Sequence, residues 1–131
     1  MSPSPAGAGI IAAMKTIHLY GIPNCDTVKK ARTWLTEQGV DAVFHDFKKE
    51  GVPLALLPGW LKAVGRDKLI NRAGPTWRKL EEATKASVVD DASAMAVMAA
   101  HSSTIKRPVV VWADGTVTVG FKPELFAERL L

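Results

Sequence analysis

The one cysteine of this chain, Cys25, stands where a thiol could be reactive. It follows a short β-branched and aromatic run, Ile17-His18-Leu19-Tyr20, and a breaking segment, Gly21-Ile22-Pro23-Asn24. A helical pattern begins at the cysteine itself. The free backbone N–H groups and the positive dipole end of such a helix favour thiolate over thiol. They also attract anions, so a substrate oxyanion could sit beside the sulfur. Lys29, one turn on, adds positive charge. A lone cysteine is more often a small buried hydrophobe, but the strand–loop–helix setting tips the weight toward chemistry. A dithiol motif would place a second cysteine at position 28, which is Val28. The sulfur must therefore be released by an external thiol such as glutathione, or do chemistry that needs no resolving thiol.

The elements that must hold Cys25 follow from periodicity. Val28, Ala31 and Leu35 recur at helical spacing between Cys25 and Gln38, and Gly39 is placed to end that helix in the left-handed conformation. Ala42 to Phe47 reads as a second strand. The resulting βαβ unit should be right-handed with parallel strands. The middle of the chain is helical: Pro53 to Val64 closed by Gly65, a short turn over Asp67 to Asn71, a helix from Thr76 with Glu81 and Lys85 as an i,i+4 pair, and an Ala- and Met-rich helix from Asp90-Asp91 to near His101. Pro108 to Trp112 is a buried-strand run, Asp114-Gly115 signals a hairpin, Val117 to Val119 returns, and Pro123 opens a last helix to Leu131. The order is βαβ, a helical block, then ββα. Without the block this is the thioredoxin arrangement, an α/β fold with a mixed sheet. One domain is expected over residues 14–131, with the helical insertion at about 52–104, behind a flexible extension at 1–13.

Composition narrows the classes. With 131 residues, 47% hydrophobic and 23% charged, the chain suits one soluble globular domain. One cysteine excludes an internal disulfide framework, and His18, His45 and His101 sit in no metal-ligand motif. No apolar run approaches the roughly 20 residues of a membrane helix, and residues 1–13 lack the charged start of a signal peptide. The cytoplasm is the expected location, with no membrane partner. The net charge of +4 is scattered between acids, which calls for no direct nucleic-acid contact. Trp34 and Trp77 lie among apolar helix neighbours and read as core packing rather than base-stacking platforms, and Met95 and Met98 likewise.

Three segments resemble a known family. Gly21-Ile22-Pro23-Asn24-Cys25-Asp26-Thr27-Val28-Lys29-Lys30-Ala31-Arg32 is similar to the active-site segment of the ArsC-type arsenate reductase superfamily, which also includes the Spx regulators. Thr76-Trp77-Arg78-Lys79-Leu80 and Ile105-Lys106-Arg107-Pro108 add to the resemblance and bring it nearest to the YffB-like branch. It runs from about Thr16 to the C-terminus. The resemblance implies a thioredoxin-like core with an inserted helical subdomain. It implies that Cys25 attacks the substrate, that Arg107 and Arg72 cradle an anion, and that Lys122 stands where the family carries a third arginine. Lys122 keeps the charge without the planar fork. Asn24 and Pro108 would shape the site, Pro108 through a cis bond facing the cysteine. The implied activity is a glutathione-linked thiol reductase acting on an anionic or disulfide substrate. Glutathione would be the co-substrate, glutathione or a glutaredoxin the thiol partner, and no cofactor tightly bound. The alternative is an Spx-like regulator that binds RNA polymerase without catalysis. That regulator's switch uses two cysteines, and Val28 occupies the second place.

Overall fold

The computed structural model describes residues 16–130; the extension expected at 1–13 lies outside the described residues. Four strands form one mixed sheet in the order β2-β1-β3-β4. Strand β1 (Ile17–Gly21) runs parallel to β2 (Ala42–Asp46), with Ile17 opposite Ala42 and Gly21 opposite Asp46. On its other side β1 is antiparallel to β3 (Val109–Val111), which pairs antiparallel with β4 (Val117–Val119). Alternation along β1 sends Ile17 and Leu19 to one face of the sheet and His18 and Tyr20 to the other.

Helix α1 (Asp26–Glu37) connects β1 to β2 and buries Val28, Ala31 and Leu35, the spacing expected of one helix face. That face packs on Ile17, Leu19, Val110, Trp112 and Phe126. The helix ends as anticipated at Gly39, with φ of 70°. Gly39 N–H donates to Thr36 O and Val40 N–H to Leu35 O, both at 3.0 Å, so two terminal carbonyls are satisfied by the pair of bonds a left-handed glycine permits.

The opposite face of the sheet is covered by short helices: α2 (Phe47–Glu50), α3 (Leu57–Val64), α4 (Arg66–Leu69), α5 (Pro75–Arg78), α6 (Glu82–Ala86) and α7 (Asp91–Ala100), followed by a 3-10 turn at Ser102–Thr104. Tyr20, Phe47, Leu57, Trp60, Leu61, Leu69, Trp77, Met98 and Val109 form the core there. Trp77 and Met98 are thus packing residues, as their spacing indicated, while Trp34 and Met95 are partly buried against the two cores. None of the helices is long and apolar enough to cross a membrane, among the described residues.

Several boundaries differ from expectation, each for a local reason. Phe47 opens a helix instead of ending β2, because the Asp46 side chain accepts from Lys48 N–H at 2.8 Å and caps a helical turn. The helix expected from Pro53 begins at Leu57, after a turn in which Leu56 and Leu57 N–H both donate to Pro53 O. The helix expected from Thr76 is two helices, broken at Glu81 in extended backbone. Lys85 accordingly does not pair with Glu81. Its Nζ donates to the Arg78 carbonyl at 3.0 Å, satisfying the end of α5, and lies 3.3 Å from Glu82. The hairpin at Asp114-Gly115 forms with a three-residue loop: Gly115 N–H donates to Trp112 O, and Trp112 N–H to Thr116 O, both at 2.8 Å. The last helix, α8, spans Pro123–Arg129.

Candidate active site

Antiparallel pairing decides what surrounds Cys25. The C-terminal end of β1 lies beside the start of β3, with Tyr20 opposite Val109, so the loop carrying Cys25 meets the Arg107-Pro108 segment that feeds β3. Gly21 seats the two together. A Cβ there would lie 2.9 Å from Val28 Cγ2 and 3.8 Å from Arg107 Cβ, so no side chain fits between them without displacing α1. The far end of β4 arrives at the same edge, where Gly120 N–H donates to Pro108 O at 2.9 Å and delivers Phe121, Lys122 and α8. The Arg107-Pro108 bond is cis.

Cys25 is the N-cap residue of α1, extended at φ −139° and ψ 123°, and half-buried. Its carbonyl accepts the first helical bond, from Lys29 N–H at 2.9 Å. The N–H groups of Asp26, Thr27 and Val28 have no acceptor within the helix, the general feature by which helix N-termini attract anions. Asp26 is exposed and its carboxylate does not line the cavity onto which the sulfur opens.

That cavity encloses about 540 Å³. Cys25 and Thr27 line it from α1, Lys106 and Arg107 from the approach to β3, and Lys122 and Arg129 from α8. Four cations thus share the cavity wall with Cys25, and Glu128 is the one acid on it among the described residues. Lys106, Lys122 and Arg129 are exposed and Arg107 is half-buried. Such a wall favours an anionic ligand and discriminates against cations.

The structure brings Cys25, Arg107 and Lys122 together, with buried Pro108 behind them, and leaves Asn24 exposed beside the cysteine. Arg72 does not join them. Its guanidinium donates to Asp67 Oδ1 at 2.9 Å and lies 5.5 Å over the Trp77 ring. The reason is register. Ile70 bridges Ile105, Asn71 N–H donates to Thr104 O at 2.8 Å, and Lys106 N–H donates to Leu69 O at 2.7 Å, so Asn71 is the residue zipped against the cavity rim. The next residue already enters the turn toward α5. Lys29 also lies elsewhere, on a shallow groove with Arg32 and Thr36. Lys106, Arg129, Asn71 and Leu125 are cavity residues that the motifs did not single out. Leu125 and Arg129 had a readable signal, since a step of four places them on one face of the last helix.

Comparison with known proteins agrees with this geometry. The ArsC family profile matches residues 20–128. An uncharacterized protein of Haemophilus influenzae is 40% identical over 105 residues, covering 80% of this chain and 90% of its own. The structure of a YFFB protein is 47% identical with a TM-score of 0.81, over 88% of this chain and 99% of its own. A solution structure of an arsenate reductase-related protein from Brucella melitensis is 48% identical, TM-score 0.68, over 88% and 94% of the two chains. The arsenate reductase of Vibrio cholerae, 22% identical with a TM-score of 0.72, shares the fold over 88% of this chain and 98% of its own.

Proposed function

The chain belongs to the ArsC family, and from that premise we propose that it is a glutathione-linked thiol reductase working through Cys25 alone. The observation that carries the proposal is the half-buried thiol at the N-terminus of α1, on a cavity whose wall also includes Lys106, Arg107, Lys122 and Arg129. Glutathione carries two carboxylates and one ammonium, which suits four cations and the single carboxylate of Glu128. Arg107 offers the planar fork for one carboxylate and Lys122 a point charge for the other.

The reaction proceeds in two exchanges. The Cys25 thiolate attacks the glutathione sulfur of a mixed disulfide between glutathione and a second thiol, forming a Cys25–glutathione disulfide and expelling the second thiol as thiolate. A glutathione thiolate then attacks that bond, leaves as glutathione disulfide and restores Cys25. The net change converts the mixed disulfide and one glutathione into the released thiol and glutathione disulfide, with the glutathione proton ending on the released thiol. Val28, where a second cysteine would stand, is fully buried in the core against Gly21, so the resolving thiol comes from outside.

The test is turnover of the mixed disulfide that bis(2-hydroxyethyl) disulfide forms with glutathione in solution, followed by the glutathione disulfide formed. The wild-type chain should turn over and Cys25→Ser should fall to the uncatalysed rate. Equal rates for the two would remove Cys25 from the reaction.

A further inference from the structure

We propose that the cavity takes a mixed disulfide between glutathione and an apolar thiol, with Leu125 and Phe121 forming the subsite for the apolar half; this rests on the thiol-reductase reading of Cys25. Size is the first argument. Even counting each oxygen as a whole water of ~30 Å³, a four-oxygen inorganic anion fills about 120 Å³. The cavity holds about 540 Å³, within the range of pockets built for organic ligands.

The wall is the second argument. Phe126 is buried and packs edge-on against Trp112 at 4.9 Å, Phe121 at 4.8 Å and Trp34 at 5.8 Å between ring centroids. This holds Phe121 as a fixed apolar surface on the cavity wall. Leu125, in the first turn of α8, lines the same cavity and belongs to neither core, remaining 54% exposed. Single exposed leucines need no explanation. Leu125 differs from the other exposed large hydrophobics, Val43, Leu54, Leu56 and Val89, because it alone among them lines the cavity that holds the thiol. Arg129 follows Leu125 one turn on along α8 and Lys122 stands at the helix N-cap, both on the same cavity wall, so an apolar body can lie on Leu125 while glutathione carboxylates reach these cations.

In the reaction the Cys25 thiolate attacks the glutathione sulfur, the bond between the two substrate sulfurs breaks, and the apolar thiolate leaves. Glutathione then discharges Cys25. The net change converts the mixed disulfide and one glutathione into the apolar thiol and glutathione disulfide, with the glutathione proton ending on the released thiol.

The experiment compares kcat/KM for the mixed disulfides of glutathione with benzyl mercaptan and with 2-mercaptoethanol. Each is measured on the wild-type chain, on Leu125→Ser and on Leu54→Ser, an exposed leucine outside the cavity. The wild type should prefer the benzyl substrate by about tenfold, the low end of what a small apolar contact discriminates. Leu125→Ser should bring the ratio near one through a higher KM for the benzyl substrate, and Leu54→Ser should keep the wild-type ratio. Equal kcat/KM for both substrates on the wild type, a ratio untouched by Leu125→Ser, or an equal loss in Leu54→Ser would overturn the subsite and leave the reductase standing. No turnover of either mixed disulfide would overturn the reductase itself.

Discussion

Arg107 and Arg72 illustrate how one residue of register separates a binding group from a surface charge. Both precede or follow apolar β-like runs, and the resemblance assigns both to the anion. Only Arg107 is anchored beside Gly21 and the cysteine loop. Arg107→Lys keeps the charge and loses the fork, and should weaken glutathione binding by about 1–3 kcal/mol, the scale of a charge-assisted hydrogen bond. Thermal stability should barely move. A lowered melting temperature with unchanged glutathione KM would make Arg107 structural. Arg72→Ala should do the reverse in miniature. Its side chain is 44% exposed and that of Asp67 83%, so the pair is worth at most about 1 kcal/mol. The glutathione KM should stay at the wild-type value, and a rise comparable to that of Arg107→Lys would return Arg72 to the site.

At the scale of elements, β1 and β2 are joined by more than their ladder. His18 Nδ1 and His45 Nε2 lie 2.9 Å apart, and His45 Nδ1 lies 3.0 Å from Glu50 Oε1 at the end of α2. The arrangement is consistent with His18 donating to His45 and His45 donating to Glu50. The His45 ring also stacks on Tyr20, with centroids 4.4 Å apart and planes within 12°. His45→Ala removes both hydrogen bonds and the stack, and should cost about 1–3 kcal/mol in urea unfolding. No loss of stability would mean the chain of rings adds nothing to the pairing. This network was invisible in the sequence, since His18 and His45 are 27 residues apart and meet only through the parallel register.

Other elements were readable to differing degrees. The strands, α1 and the terminal hairpin announce themselves through period and turn residues, and Cys25 through its place between them. The helical block was legible as helical but not in its joints. Where α5 stops depends on Lys85 reaching the Arg78 carbonyl, and which residue of Asn71-Arg72 faces the cavity depends on the Ile70–Ile105 bridge. Contacts between segments decide both, and no local pattern encodes them.

At the scale of the whole molecule, the described residues form two cores, one on each face of the sheet, and titratable groups around them make stability depend on pH. Burial, with Glu50 adding to it, pushes the Tyr20 phenol above its ordinary value. The neutral phenol's contribution is therefore complete below pH ~10 and is lost as pH rises through the elevated folded value. Asp90 and Asp114 shift the other way, held low by backbone N–H donation from Ser93 and Thr116. Their contribution is present above the ordinary carboxylate value and is lost as pH falls through the lowered one. Melting temperature against pH should show a plateau between these limbs. Tyr20→Phe should flatten the alkaline limb and leave the acid limb in place, and an unchanged alkaline limb would contradict the assignment.

Cys25 as a thiol that exchanges with glutathione inside the cavity is the claim on which the rest depends. The most direct measurement is intact-mass spectrometry of the folded full chain after incubation with glutathione disulfide, followed by peptide mapping. The account predicts one glutathionyl group, on Cys25, removed again by added glutathione. The folded chain should acquire it faster than the same chain unfolded in urea, because only the fold gathers the cations around the sulfur. A folded chain that stays unmodified while the unfolded chain reacts would contradict it, and would make Cys25 a structural thiol.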